Sequence, residues 1–131
     1  MIDRRKRITV IGLGYIGLPT SLLLSRSGFK VFGVDINEDV INSLKNNKIH
    51  ISEPKLENLV SNGVKKGFLK AQTKVENSDI YLIAVPTPFL KNENQLPKPN
   101  IDFVINAALS IASVIKPGNL VIIESTCPVG T

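Results

Sequence analysis

Ile8-Thr9-Val10-Ile11-Gly12-Leu13-Gly14-Tyr15-Ile16-Gly17 is the stretch that decides the fold. Four β-branched residues run straight into glycines spaced G-x-G-x-x-G, and apolar residues at helical spacing follow. Ile8 to Gly12 predicts a first strand, and Ile16, Leu22, Leu23 and Leu24 predict a helix from Tyr15 to about Ser27, closed by Gly28 at a C-terminal capping position. A strand that turns directly into a helix needs each glycine for its own reason. Gly12 permits the tight turn, Gly14 lets a phosphate approach the backbone where a Cβ would collide, and Gly17 lets helix and strand pack closely. The motif is weak by itself and becomes informative only between a strand and a helix.

Further along, Lys30 to Asp35 (KVFGVD) is a second β-rich run that ends in an acid, and Asn37 offers an N-cap to a helix carrying Val40, Ile41 and Leu44. After an irregular stretch from Ile49 to Pro54, Leu56, Leu59 and Val60 predict another helix that stops near Gly63 or Gly67. Ala71 to Val75 reads as a short strand. Ile80 to Val85 (IYLIAV) is apolar almost throughout, which predicts a central strand buried on both faces and ending at Pro86-Thr87-Pro88. Lys91 to Asn100 is polar and proline-containing, hence a loop. Asp102 then caps a helix with Val104, Ile105, Ala108, Leu109 and Ala112, and Pro117-Gly118 turns the chain into a last strand, Leu120 to Ile123. Strands alternating with helices in this order define a doubly wound α/β unit, a Rossmann-type parallel sheet with right-handed crossovers, forming a single domain over residues 1–131.

Composition narrows the function. A chain of 131 residues that is 43% hydrophobic has the apolar content for one core. No apolar run approaches the roughly 20 residues of a membrane span. Met1 to Arg7 is basic but leads into a short run broken by Gly12 and Gly14, a poor secretion signal, so a cytoplasmic location is expected. Cys127 is the sole cysteine, which excludes an intrachain disulfide, and no Cys/His cluster has zinc spacing, so no metal is expected. The net charge of +5 suits an anionic ligand, yet aromatic residues are only 5% and the basic ones are scattered, which gives nucleic-acid binding no support. Arg4-Arg5-Lys6-Arg7 reads as a solvated lead-in to the first strand.

The ligand follows from the glycine turn and the acid beyond it. The helix N-terminus offers N–H groups and a positive dipole end to phosphates, so no lysine is needed. Asp35 stands about 20 residues beyond the turn, the offset at which an acid accepts hydrogen bonds from the adenosine ribose hydroxyls. A carboxylate there repels a 2′-phosphate, and Ile36, Asn37, Glu38 and Asp39 supply no arginine to neutralise one; NAD is therefore expected over NADP. Ligands of open α/β sheets lie beyond the carboxyl ends of the strands, which adds Val85, Pro86, Thr87, Ser125 and Thr126 to the rim.

Taken in order, Gly12-Leu13-Gly14-Tyr15-Ile16-Gly17-Leu18-Pro19, Gly33-Val34-Asp35-Ile36-Asn37, Ile49-His50-Ile51-Ser52-Glu53-Pro54, Gly67-Phe68-Leu69, the Leu82-to-Phe89 run LIAVPTPF and the Glu124-to-Thr131 run ESTCPVGT resemble the nucleotide-binding half of the UDP-glucose/GDP-mannose dehydrogenase family. The resemblance covers essentially the whole chain. The IHISEP and AVPTPF runs point, within the family, to the branch acting on N-acetylmannosamine.

The resemblance implies oxidation of a nucleotide-sugar C6 alcohol to a carboxylate by two NAD in two hydride transfers, the second through a cysteine thiohemiacetal. It matches Tyr15, Ile16, Asp35, Thr87 and Thr126 to cofactor-contacting positions, and Thr126 to a threonine that helps place the water or oxygen at the reacting carbon. With Gly12, Leu13, Gly14, Gly17, Val85, Pro86 and Ser125 these make up the expected cofactor site. The family's catalytic cysteine, lysine, asparagine and acids lie downstream of the PVG motif. The chain is accordingly expected to be a piece of a longer protein that binds NAD without turnover by itself. A UDP-sugar would be bound, and a homodimer formed, only with the part beyond. UDP-glucose and UDP-N-acetylglucosamine 6-dehydrogenases, and a non-enzymatic NAD-binding domain, are the rival readings. Cys127 is expected to pack at a strand end and His50 to anchor a loop. Glu124 is expected to point from a buried strand end to the rim and accept a hydrogen bond from a neighbouring loop.

Overall fold

The computed structural model describes residues 3, 5–51, 56, 60, 69–90 and 97–131. Five parallel strands form the central sheet: β1 (Arg7–Ile11), β2 (Lys30–Val34), β3 (Leu69–Gln72), β4 (Ile80–Ile83) and, last in the chain, β7 (Leu120–Ile123). Their order across the sheet is β3-β2-β1-β4-β7. The chain thus steps outward from β1 in one direction to β2 and β3, then returns to the other side of β1 for β4 and β7. The switch point of a doubly wound fold lies between β1 and β4, paired in register from Ile8 with Ile80 to Ile11 with Ile83.

Helices α1 (Gly17–Arg26) and α2 (Glu38–Lys45) cover one face. Their Leu18, Leu22, Ile41 and Leu44 pack with Ile8, Val10, Val31, Leu69 and Ala71 of the strands. On the other face α3 (Asp102–Ala112) sets Val104, Ala107 and Ile111 against Ile11, Val34, Tyr81 and Ile83. Each face therefore has its own core, the arrangement a parallel sheet requires.

Both helices of the first face stop by the same device. After α1 the Gly28 N–H donates to Ser25 O at 3.0 Å and the Phe29 N–H to Leu24 O at 3.2 Å, with Gly28 at φ +89. After α2 the Asn47 N–H donates to Leu44 O at 3.0 Å and the Lys48 N–H to Ser43 O at 2.8 Å, with Asn47 at φ 58. These are Schellman closures, in which a left-handed residue satisfies the last carbonyls. At the other end of α2 the Asn37 side chain accepts from the Asp39 N–H at 2.9 Å, the N-cap its position predicts.

Several sequence-based boundaries shift. The first helix begins at Gly17 and not Tyr15, because the glycine turn itself takes up residues 14–16; Leu18 replaces Ile16 and Leu23 in its buried stripe, and those two are exposed. β3 runs Leu69–Gln72 instead of Ala71 to Val75, since Leu69 and Ala71 are the alternating pair that reaches the core. β4 ends at Ile83, and only Tyr81 and Ile83 are fully buried; Ile80 and Leu82, on the other face, are half-buried. In α3 the buried face is Val104, Ala107 and Ile111, whereas Ile105 and Leu109 are exposed. Asp102 is the first residue of α3 and not its cap: the Asn100 side chain accepts the Asp102 N–H at 2.9 Å.

The segment expected to be a loop carries a small hairpin on its flanks, where β5 (Phe89–Leu90) pairs antiparallel with β6 (Lys98–Pro99); residues 91–96 lie outside the described residues. Of the helix expected around Leu56, Leu59 and Val60, Leu56 and Val60 are helical and Val60 is fully buried, while Leu59, Gly63 and Gly67 lie outside the described residues. β7 is an exposed edge, and Glu124 just beyond it is exposed too; the hydroxyl that reaches Glu124 belongs to Thr20 of α1, at 3.3 Å, rather than to a loop.

Candidate functional site: a cleft at the carboxyl rim of the sheet

The site is built where β1 becomes α1. Gly12 leaves the strand at φ +91, and its N–H donates to Val34 O at 2.8 Å. A Cβ on Gly12 would stand 2.6 Å from the carbonyl oxygen of Ala84, and one on Gly17 would overlap the carbonyl oxygen of Gly12. Those two glycines close the turn by backbone-to-backbone contact. Gly14 is different, because a Cβ there would meet no atom within 4 Å. Among the described residues none needs glycine at that position for packing, which leaves the space over the turn free for a ligand. Among the described residues no side chain caps α1 and no acid sits in its first turn; the Glu124 carboxylate, which stands nearby, accepts from the Thr20 hydroxyl.

Asp35, half-buried, follows β2 directly and faces the turn. One carboxylate oxygen accepts the Leu13 N–H at 2.9 Å and the other accepts the Asn37 N–H at 2.9 Å. Each oxygen keeps a further acceptor site, so the acid is held in one orientation while retaining capacity for a ligand's hydroxyls. The Leu13 side chain is fully buried, which anchors the turn from below.

Between these groups opens a cleft of about 790 Å³, within the range of small-molecule and cofactor sites. Gly12, Gly14, Asp35, Val85 and Pro86, all expected at the site, line it. Tyr15 and Ile16 sit exposed on the turn beside it. Thr87, Ser125 and Thr126 do not line it; they lock its far wall. The Thr87 hydroxyl donates to Thr126 O at 2.7 Å and the Ser125 hydroxyl to Val85 O at 2.7 Å, tying the loop after β4 to the loop after β7.

Sequence reasoning missed part of the lining. Thr73, Lys74 and Val75 enter from the end of β3, Phe103, Asn106 and Ser110 from α3, and Ser113 from just past its end. The carboxyl-end rule would have found the first three once β3 was placed beside β2. His50, expected to anchor a loop, also lines the cleft, and the anchoring falls to its neighbours, Ile49 and Ile51. Cys127 packs half-buried against the core under α3, as a strand-end packing residue does.

A glycine turn with one open position, an uncapped helix N-terminus and an oriented acid at the next strand end define a dinucleotide-binding domain of the Rossmann type. The residues fit such a ligand: Gly14 and the α1 terminus leave room and N–H groups for phosphates, and Asp35 keeps acceptor capacity for hydroxyls. Among the described residues no helix is long and apolar enough to cross a membrane.

Known proteins share this architecture and sequence. The chain is 51% identical over 130 residues to a UDP-N-acetyl-D-mannosamine dehydrogenase of Campylobacter jejuni, a match covering 99% of this chain and 31% of that protein. It is 47% identical over 125 residues to an NDP-N-acetyl-D-galactosaminuronic acid dehydrogenase of Ralstonia nicotianae, covering 95% of this chain and 29% of that one. The native structure of a UDP-N-acetyl-mannosamine dehydrogenase from Staphylococcus aureus superposes with a TM-score of 0.86 at 45% identity, over 92% of this chain and 29% of that one. Residues 6–131 match the NAD binding domain of the UDP-glucose/GDP-mannose dehydrogenase family, and the chain belongs to that family. It spans under a third of the length of the curated relatives it matches.

Proposed function

We propose that this chain is the NAD-holding part of a cytoplasmic nucleotide-sugar 6-dehydrogenase that oxidises UDP-N-acetyl-D-mannosamine to UDP-N-acetyl-D-mannosaminuronate with two NAD. The observation that carries the cofactor half is the pairing of an open Gly14 with an Asp35 carboxylate pinned to face it. The 51% identity to a mannosamine dehydrogenase supports the sugar. Bound NAD supplies the hydride acceptor. The chain's own work is to hold the dinucleotide: backbone amides of the glycine turn and the start of α1 take the diphosphate, Asp35 takes the adenosine ribose, and the wall from Val85 to Thr87 bounds the nicotinamide side. Thr126, fixed through its carbonyl to Thr87, is the rim residue to which we assign placing the water or sugar oxygen at the reacting carbon. The nucleophile, the sugar pocket and the homodimer contact belong to the remainder of the relatives' length, so the 131 residues alone bind NAD and produce no steady NADH from a UDP-sugar.

Calorimetric titration with NAD tests the cofactor half. Asp35→Ala is expected to weaken binding about tenfold or more, because it removes a charged acceptor for ribose hydroxyls and releases the Leu13 amide; unchanged affinity contradicts the assignment. The 47% identity to an N-acetylgalactosaminuronic acid dehydrogenase supports a second reading of the sugar alone. NADH formation by the full-length protein on each UDP-N-acetylhexosamine decides between the two.

A further inference from the structure

The Schellman closure of α2 does more than end a helix. With Asn47 in the left-handed region, the chain reverses and delivers residues 49–51 to the rim, where Ile49 packs on the first core and Ile51 is only 5% exposed. His50 stands between the half-buried Ile49 and the buried Ile51, and it is the residue of the three that is exposed and lines the cleft. Asp35 and Asn37 after β2, Val40 of α2 and Lys74 after β3 line the same cleft. In the sheet order β2 and β3 lie on one side of the glycine turn, while β4, followed by Val85 and Pro86, lies on the other.

We infer that His50 is a cofactor-contacting residue on the adenosine side of the cleft. This rests on the dinucleotide reading and adds to it a residue that the G-x-G-x-x-G and strand-end acid pattern does not predict. An imidazole there offers a flat face for a purine and a ring nitrogen for a ribose hydroxyl. The alternation Ile49-His50-Ile51 sets its place: two side chains pack toward the core and the third is left at the cleft.

His50 is the chain's only histidine, so its imidazole C2 proton gives a single NMR resonance. Titrating the chain with AMP is expected to move that resonance along the AMP saturation curve. His50→Ala is expected to weaken AMP and NAD by the same factor, about five- to tenfold, because both ligands share the half that is touched. An imidazole resonance unmoved at saturating AMP overturns the inference whether or not the variant folds. So does a variant that loses NAD affinity while keeping AMP affinity. A wild-type chain that takes up neither AMP nor NAD brings down the cofactor reading itself, a result distinct from either of these.

Discussion

The strands of this sheet begin in a region where most polar groups answer one another, the buried Arg7 Nε being an exception, and end in a region where some are held ready for a partner from outside. At the first end Thr9 and Ser78 share a buried hydroxyl contact of 2.7 Å, the Ser78 N–H donates to the Tyr81 hydroxyl at 2.8 Å, and the Arg7 N–H donates to the Asp79 carboxylate at 2.8 Å. The Asp79 N–H in turn donates to Arg7 O at 3.0 Å, and the Leu120 N–H to Asp79 O at 3.0 Å, so Asp79 ties β1, β4 and β7 at their starts. At the other end Asp35 is just as firmly oriented, yet it borders a cleft, and Gly14 has no protein neighbour within reach of a Cβ. Orientation is common to both ends; what marks the functional end is acceptor capacity and space that the fold leaves over.

That contrast is testable at single residues. The largest effect is expected from Gly17→Ala, which forces a methyl into the Gly12 carbonyl oxygen: a loss of about 3 kcal/mol or more of stability by denaturant unfolding, with NAD binding lost through the collapse of the turn. A variant with wild-type stability would show that the turn has slack the structure does not contain. Tyr81→Phe belongs to the other end. It leaves the buried Ser78 N–H without an acceptor and is expected to cost about 1–3 kcal/mol while NAD affinity stays at the wild-type value. A drop in NAD affinity would mean that the two ends are coupled.

The smallest effect concerns Asp79. The hydrogen bond from the Arg7 N–H, with the Lys6 ammonium nearby, holds its carboxyl below the ordinary value. A folded-state value below the unfolded one means that its contribution is complete above the ordinary carboxylate range and is lost as pH falls through it toward the folded value. Asp79→Asn should therefore lower stability slightly at neutral pH and flatten the acid limb of the stability curve. An acid limb identical to wild type would remove Asp79 from the account of that end.

The doubly wound fold, the glycine turn and Asp35 were legible because each is a local signal: a β-branched run, fixed glycine spacing, an acid at a strand end. What escaped was set by tertiary position. α3 carries two interleaved apolar stripes, and only its placement over Tyr81 and Ile83 selects Val104, Ala107 and Ile111. β4 reads as buried on both sides because its residues are all apolar, yet only the Tyr81/Ile83 side is fully covered. Asp102 reads as a cap by residue type, yet it is the first helical residue, and its own N–H is accepted by the Asn100 side chain. Lys74 and His50 reach the cleft through loops whose destination depends on strand order, which no local pattern encodes.

Gly14→Ala puts the central claim to its sharpest trial, because the added methyl meets nothing in the protein. Calorimetric titration of this variant with NAD, run beside its thermal unfolding, is expected to show a wild-type midpoint and an affinity weakened about tenfold or more, the methyl standing where the diphosphate approaches the backbone. A variant that melts like wild type and binds NAD as tightly would contradict the account, since the open side of the turn would then not be where the cofactor lies.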